Sequence, residues 1–274
     1  MRTSALFLVL LAGILSVVNC ETAHAVAGPP LVTDDPGTPG PNNWEINVAF
    51  TSESSVEEKR VELPLLDINY GLGEHIQLKY EVPYVISKIQ EQDTKNTGID
   101  RSNAGVKWRF RDKKKTEGEA KPEGVEKVEG GEDGGVALST YPQYTFKSPV
   151  AESTRLAEGT TAHEFFLPVE AEETIGKWDF NQELGYRWLE QNTSLIAAGL
   201  ALTYNIKEDT ALVLGEVHFQ VPVNFGDKEI FADVGTILAI NKWANFLFSV
   251  GRTFNQFGSD PNKTLLYAAA QLHF

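Results

Sequence analysis

From Trp44 to the last residue the chain alternates between apolar and polar or small positions, interrupted by polar stretches. A β-strand sends successive side chains to opposite faces, so this rhythm predicts strands with one apolar face each. Trp44, Ile46, Val48 and Phe50 share a face, and Glu45, Asn47, Ala49 and Thr51 share the other. Leu66, Ile68, Tyr70 and Leu72 oppose Leu65, Asp67 and Asn69; Ile76, Leu78, Tyr80, Val82 and Tyr84 oppose Gln77, Lys79 and Glu81. Ala104, Val106, Trp108 and Phe110 oppose Lys107, Arg109 and Arg111. The rhythm resumes at Leu138, with Lys147 on a polar face, then with Phe165, Leu167 and Val169 against Glu164, Glu170 and Glu172. Trp178, Phe180, Leu184, Tyr186 and Trp188 stand against Asp179, Asn181, Glu183 and Arg187. Later segments set Glu216, His218 and Asp233 against valines, Phe219 and Ile230. In the last segment Leu266, Ala268, Ala270, Leu272 and Phe274 fall on one side.

The pattern amounts to about twelve strands, an even number, as a closed barrel with both ends on one side requires. The predicted connections alternate too. Gly71–Glu74, Ile175–Lys177, Ile206–Asp209 and Asn241–Trp243 are tight, whereas Ser52–Arg60, Gln90–Asn103, Pro149–Gly159 and Pro222–Glu229 are longer and polar. Short turns on one side and long loops on the other are the asymmetry of outer-membrane barrels. The aromatic residues separate this reading from a soluble sandwich, which would bury tryptophan mid-strand. Trp44, Trp108, Trp178 and Trp243 fall at short-turn ends with Tyr70, Tyr204 and Phe274, while Trp188, Tyr84, Tyr144 and Phe254 fall toward the long loops. Two aromatic belts mark two membrane interfaces. The predicted fold is an all-β, transmembrane antiparallel up-and-down β-barrel. Strict alternation puts Arg252 and Gln182 on the lipid face, where a bulge or snorkelling would accommodate them. A terminal strand ending in Phe274 resembles the closing strand of bacterial outer-membrane barrels, where that residue is the assembly signal read by the barrel assembly machinery.

The first 25 residues read as a signal peptide: Arg2, an apolar run from Ala5 to Val18, and Ala23-His24-Ala25 before the cleavage point. Asn19 is a poor neighbour for a lipidated Cys20, so this cysteine, alone in the chain, belongs to the leader and the mature protein has no thiol. Residues 26–43 form a Pro/Gly-rich N-terminal segment. Its carboxylates in Thr33-Asp34-Asp35-Pro36-Gly37 are candidates for a cation, but Asp-Pro-Gly is ordinary turn chemistry and the turn is preferred. The barrel occupies 44–274. Residues 112–134, almost wholly Glu, Lys and Gly, predict a disordered acidic insertion on the short-turn side. The net charge of −14 over 274 residues sets nucleic acid aside as a partner. No later apolar run reaches membrane-helix length.

Three pieces also resemble a known family: Pro30-Leu31-Val32-Thr33-Asp34-Asp35-Pro36, then Trp44-Glu45, then Pro64-Leu65-Leu66-Asp67-Ile68-Asn69-Tyr70-Gly71-Leu72. Together they are similar to the outer-membrane transporters grouped as the MetA-pathway phenol-degradation family. The acidic insertion is not a feature of that group. The resemblance implies an outer-membrane barrel linked to uptake of aromatic or other hydrophobic solutes, with outer-membrane lipid and the assembly machinery as partners.

The inward faces carry the candidate chemistry. Lys79, Lys107, Arg109, Arg111 and Lys147 form a basic sector; Glu164, Glu170, Glu172, Asp179 and Glu183 form an acidic one. Glu81, Arg187, Glu216, His218 and Asp233 complete the expected lumen lining. Such sectors either set a transverse field in an open pore or pair with one another in a narrow interior, and pairing is preferred for most of them. A transporter or channel for small solutes is therefore expected. A plugged structural or adhesive barrel is the alternative. A lipid-modifying enzyme is a lesser one, because His163 and His218 lack a defensible serine partner and no Gly-x-Ser-x-Gly occurs. No catalytic residue, cofactor or metal site is expected.

Overall fold

The computed structural model of the protein describes residues 28–89, 94–113, 135–148, 163–190, 192–207, 210–226, 228–255 and 262–274. The strands are β1 (Trp44–Ser54), β2 (Glu58–Leu72), β3 (Ile76–Ile89), β4 (Thr94–Ile99), β5 (Arg101–Arg111), β6 (Val136–Thr140), β7 (Gln143–Lys147), β8 (Glu164–Ile175), β9 (Trp178–Leu189), β10 (Leu195–Lys207), β11 (Ala211–Pro222), β12 (Glu229–Asn241), β13 (Ala244–Asn255) and β14 (Thr264–His273). Both β4 and β5 pair with β3, and both β6 and β7 pair with β8. Each couple is one barrel strand with a defect. The first breaks at Asp100, whose N–H still reaches Pro83 O at 3.2 Å. The second breaks at Tyr141-Pro142, where proline has no N–H to give but its carbonyl accepts from Val106 N at 3.1 Å. The result is a closed antiparallel barrel of twelve strands.

Closure is made by the first and last strands. β1 and β14 pair from Glu45↔His273 to Ser54↔Thr264. Phe274 exchanges both backbone bonds with Trp44, at 2.6 and 3.1 Å. In hydrocarbon each open backbone group would cost several kcal/mol, so an unbroken ring of pairing is the condition for this fold.

The apolar faces point outward as the alternation predicts. Trp44, Trp108, Trp178 and Trp188 are exposed on the outer wall. They pack across strands in the belts, Trp44 on Tyr70 with centroids at 4.7 Å and Trp178 on Tyr204 at 4.5 Å. Gln182 and Arg252 do lie on the outer face, and the strands that carry them keep regular pairing there without a bulge.

Two expected loops are largely strand. Residues 52–60 form a hairpin whose turn is only Ser55–Glu57, and 94–103 extends β4 and β5 beside β3. Most of these residues lie at or beyond the level of Tyr84, where the outer face of a strand leaves the hydrocarbon and the apolar stripe fades. The predicted signal peptide and residues 114–134 of the acidic insertion lie outside the described residues. The insertion's base is anchored: Lys113 Nζ contacts Glu172 and Thr174 at 2.6 Å each. His75 donates or accepts at 2.9 Å with Asp112, and this bond, with Arg109 nearby, holds the Asp112 carboxyl below its usual range.

Candidate functional site: a segment across the lumen

The interior is not lined by polar residues alone. Ala49, Leu65, Ala201, Leu214, Ile237, Leu247 and Ala269 make a buried apolar patch on the inner wall, with Leu212 and Tyr267 against it. Apolar side chains facing a water-filled pore would be costly to hydrate, so something must cover them. Leu31, from the segment before β1, is part of the same cluster.

The N-terminal segment enters the barrel and crosses it. On one wall, both carboxylate oxygens of Glu216 (β11) accept backbone N–H groups, from Val32 and Thr33, at 2.7 Å each. Ser249 (β13) donates to Pro30 O at 2.9 Å. On the facing wall Lys107 (β5) donates to Asp34 Oδ1 at 2.9 Å and to Asp35 O. β5 and the β11–β13 arc lie about half the ring apart in strand order. The segment therefore bridges the lumen rather than lying along one wall. Thr33 and Asp35 are fully buried in this crossing.

Two glycines make room for it. A Cβ on Gly199 would collide with Thr33, coming within 3.0 Å of its Cβ, and one on Gly71 would collide with the backbone of Gly40. At Gly71 the returning chain adds two backbone bonds, Asn42 N to Gly71 O and Gly71 N to Asn43 O, both 2.9 Å. It then turns into β1. The expected turn chemistry at Asp35 is present, with Gly37 N donating to Asp35 Oδ1. Its neighbour Asp34 is an ion-pair partner of the wall, which a reading as turn alone leaves out. Beside the crossing remains a polar cavity of about 30 Å³, bordered by Asp34, Glu45, Asp67, Lys79 and Lys107.

The other predicted lining residues are mostly paired. Lys79 lies 3.4 Å from Asp67 and 3.3 Å from Glu81. Glu164 holds Arg101 at 2.8 Å and Arg187 at 3.4 Å, and Arg187 also stacks over Phe166. His218 is 3.7 Å from Glu183. Asp233 stands in register with Glu216, and Glu170 with Glu183. Arg109 does not act with Lys107: it bonds Glu74 O at 2.9 Å and Asp112 at 2.8 Å, near the short-turn rim. Arg111 and Lys147 are exposed at strand ends and join no central cluster; the register of β5 against β6 slips between Arg109 and Arg111. His163 bonds the Tyr144 hydroxyl at 2.9 Å.

Glu216 is the firmest grip on the segment's backbone. Hydrogen bonds to a charged group contribute about 1.5–3 kcal/mol each. Glu216→Gln leaves a neutral acceptor and relieves repulsion with Asp233, so the balance shifts toward the displaced segment. The population with the segment out is expected to rise roughly ten- to a hundredfold, at tenfold per 1.4 kcal/mol. Open probability in planar bilayers measures it, and an unchanged value would show that Glu216 does not hold the segment.

No family model matches the chain, and no curated relative matches it. Solved structures do. The COG4313 outer membrane channel from Pseudomonas putida F1 superposes with a TM-score of 0.63 at 11% identity, over 93% of this chain and 99% of that one. The translocator domain of autotransporter NalP from Neisseria meningitidis gives 0.51 at 12% identity, over 86% and 89%. The KdgM porin gives 0.49 at 9% identity, over 84% and 99%. At these identities the likeness is one of fold, and the fold is that of outer-membrane barrels.

Proposed function

We propose that this protein is an outer-membrane channel for small solutes whose lumen is governed by its own N-terminal segment, and that it belongs with the MetA-pathway phenol-degradation group that its N-terminal motif resembles. The observation that carries the reading is the crossing itself. The segment is held by a few polar contacts, Glu216, Ser249 and Lys107, and rests one leucine on an apolar wall. Such a contact set can be released without unfolding the barrel, whereas a plug built into the sheet could not. The wall that Leu31 covers would favour solutes with an apolar body, aromatic ones included.

Export to the outer membrane and handling by the assembly machinery through β14 and Phe274 are part of this proposal. Fractionation should recover the protein with outer-membrane markers, and unboiled samples should migrate apart from boiled ones. In liposome swelling, phenol-sized aromatic solutes should permeate faster than sugars of similar size. Recovery in the soluble periplasm would reject the location, and absence of any solute flux would favour the structural barrel, for which the hold from two walls is the supporting observation.

A further inference from the structure

The segment occupies the wall of β11–β13 in the way a ligand occupies a site. One aliphatic side chain, Leu31, lies on the inner apolar patch. The next two backbone N–H groups, of Val32 and Thr33, end on the two carboxylate oxygens of Glu216 at 2.7 Å each. Two neighbouring N–H donors on one carboxylate is the arrangement that the fork of an amidinium or guanidinium makes. Here the donors are neutral peptide groups.

The wall is more acidic than a neutral occupant requires. Asp233 (β12) stands directly opposite Glu216 in the β11–β12 ladder, and both point inward. Directly opposed residues hold their Cβ atoms about 5 Å apart, so the two carboxylates share one small region. Asp233 is 6% exposed, and its Oδ1 has no hydrogen-bond partner among the described residues. The same rung continues into Ala201 on β10 and Gly251 on β13, neither of which can supply a cation. One rung toward the long loops His218 is turned to Glu183, and Lys107 meets Asp34 from the opposite wall. A buried carboxylate without a cation is costly, and a cation held between two of them removes that cost.

Apolar surface adjoins the pair on both sides. Leu214 is the next inward position of β11, about 7 Å along the strand, and Leu247 of the same patch lies beyond it. On the other side the Phe231 ring reaches over Gly251, within 2.6 Å of where a Cβ there would stand, and so comes to the level of Asp233. A cation with forked N–H donors and an apolar body fits this wall more fully than the segment does. It keeps both bonds to Glu216, has further N–H groups for Asp233, and lays its body on the apolar surface.

We propose that Glu216 and Asp233, with the apolar residues beside them, form a binding site for an organic cation, an amidinium or guanidinium on an aromatic or other apolar body, and that this cation competes with residues 31–33 for the wall. The proposal rests on the channel reading, in which the segment can leave the wall, and narrows its solute class.

The test uses the full-length mature protein in detergent, with benzamidine as the probe and benzamide as its neutral isostere, and reads binding by isothermal titration calorimetry. Benzamidine should bind at least about tenfold more tightly, because the neutral compound lacks the charged hydrogen bonds. Asp233→Asn leaves Glu216, Ser249 and Lys107, which hold the segment, in place. It should weaken benzamidine about tenfold and leave benzamide unchanged, whereas a variant that merely tightened the segment would weaken both alike. Folding is checked by the boiled-against-unboiled gel shift. A covalent arm locates the site: Thr33→Cys/Gly199→Cys, oxidised, holds the segment on the wall and should abolish benzamidine binding, which a reductant should restore. Benzamidine that binds no better than benzamide, that ignores Asp233→Asn, or that still binds the crosslinked protein would overturn the proposal. The channel reading is measured apart, by flux of neutral aromatic solutes into liposomes. Such flux without selective benzamidine binding rejects the cation site and keeps the channel. Selective, crosslink-sensitive binding without flux rejects the channel and keeps the site.

Discussion

Deleting residues 28–39 is expected to raise single-channel conductance several-fold while leaving a folded, heat-modifiable barrel. The segment bridges Lys107 on one wall to Glu216 and Ser249 on the other, so its removal clears the middle of the lumen. The barrel has reason to survive. Residues 40–43 and their two bonds to Gly71 are kept, and Lys107 still has Glu170 at 3.8 Å. The loss is Leu31 from the inner apolar patch, a cost of about 1.5–3 kcal/mol by ordinary burial. A hole made by deletion is not yet a route, however. The companion variant Thr33→Cys/Gly199→Cys decides that. A Cβ at Gly199 falls 3.0 Å from the Thr33 Cβ, a few tenths of an ångström short of the span of a disulfide, and the loosely built segment can yield that much. Oxidised, this variant should lose solute flux to the level of empty liposomes, and a reductant should restore it. Flux that ignores the crosslink would mean that solute passes with the segment in place, and the segment would then be a structural insert.

The barrel was readable because lipid imposes a strict two-residue period on every strand that crosses it. Trp44 to Phe50 against Glu45 to Thr51 needed no knowledge of partners. Where the hydrocarbon ends the period fades, and the hairpin extensions at 52–60 and 94–99 therefore read as loops although they are paired. The crossing segment was illegible for a different reason. Its contacts join residues 73 and 183 positions apart, Asp34 to Lys107 and Thr33 to Glu216, and no local pattern encodes such pairings. Prolines and glycines announce only that it is neither helix nor central strand. One signal was nevertheless present. In Leu212-Val213-Leu214 and Phe246-Leu247-Phe248 both faces are apolar, and a strand apolar on both faces is covered on both. One face meets lipid; the other needed a cover inside, and Leu31 with its neighbours supplies part of it. A strand pattern gives each charged residue a face but does not name what it meets across the lumen. Lys107 and Arg109 sit two residues apart on one face and serve different ends, one the crossing and one the base of the insertion.

Lys107→Met should be the most damaging single substitution in the lumen. Lys107 is almost wholly buried, at 2% exposure, and meets Asp34, the Asp35 carbonyl, Glu170 and the Tyr141 ring at once. Glu170 is fully buried, lies in register with Glu183, and has one carboxylate oxygen with no hydrogen-bond partner among the described residues. Removing its cation leaves an uncompensated buried charge, and breaking a buried pair in that way costs about 3–5 kcal/mol. For a barrel of this size about 10 °C of apparent unfolding temperature would be lost, at 2–4 °C per kcal/mol. The same change frees Asp34 and so loosens the segment. A double variant separates the two effects. Lys107→Met/Glu170→Gln removes the orphaned charge and should recover most of the lost temperature, yet Asp34 still lacks its anchor and the open probability should stay high. If the double variant restores neither, Glu170 is not the group that Lys107 neutralises. If it restores both, the segment is held by Glu216 and Ser249 alone, and Lys107 serves only the wall.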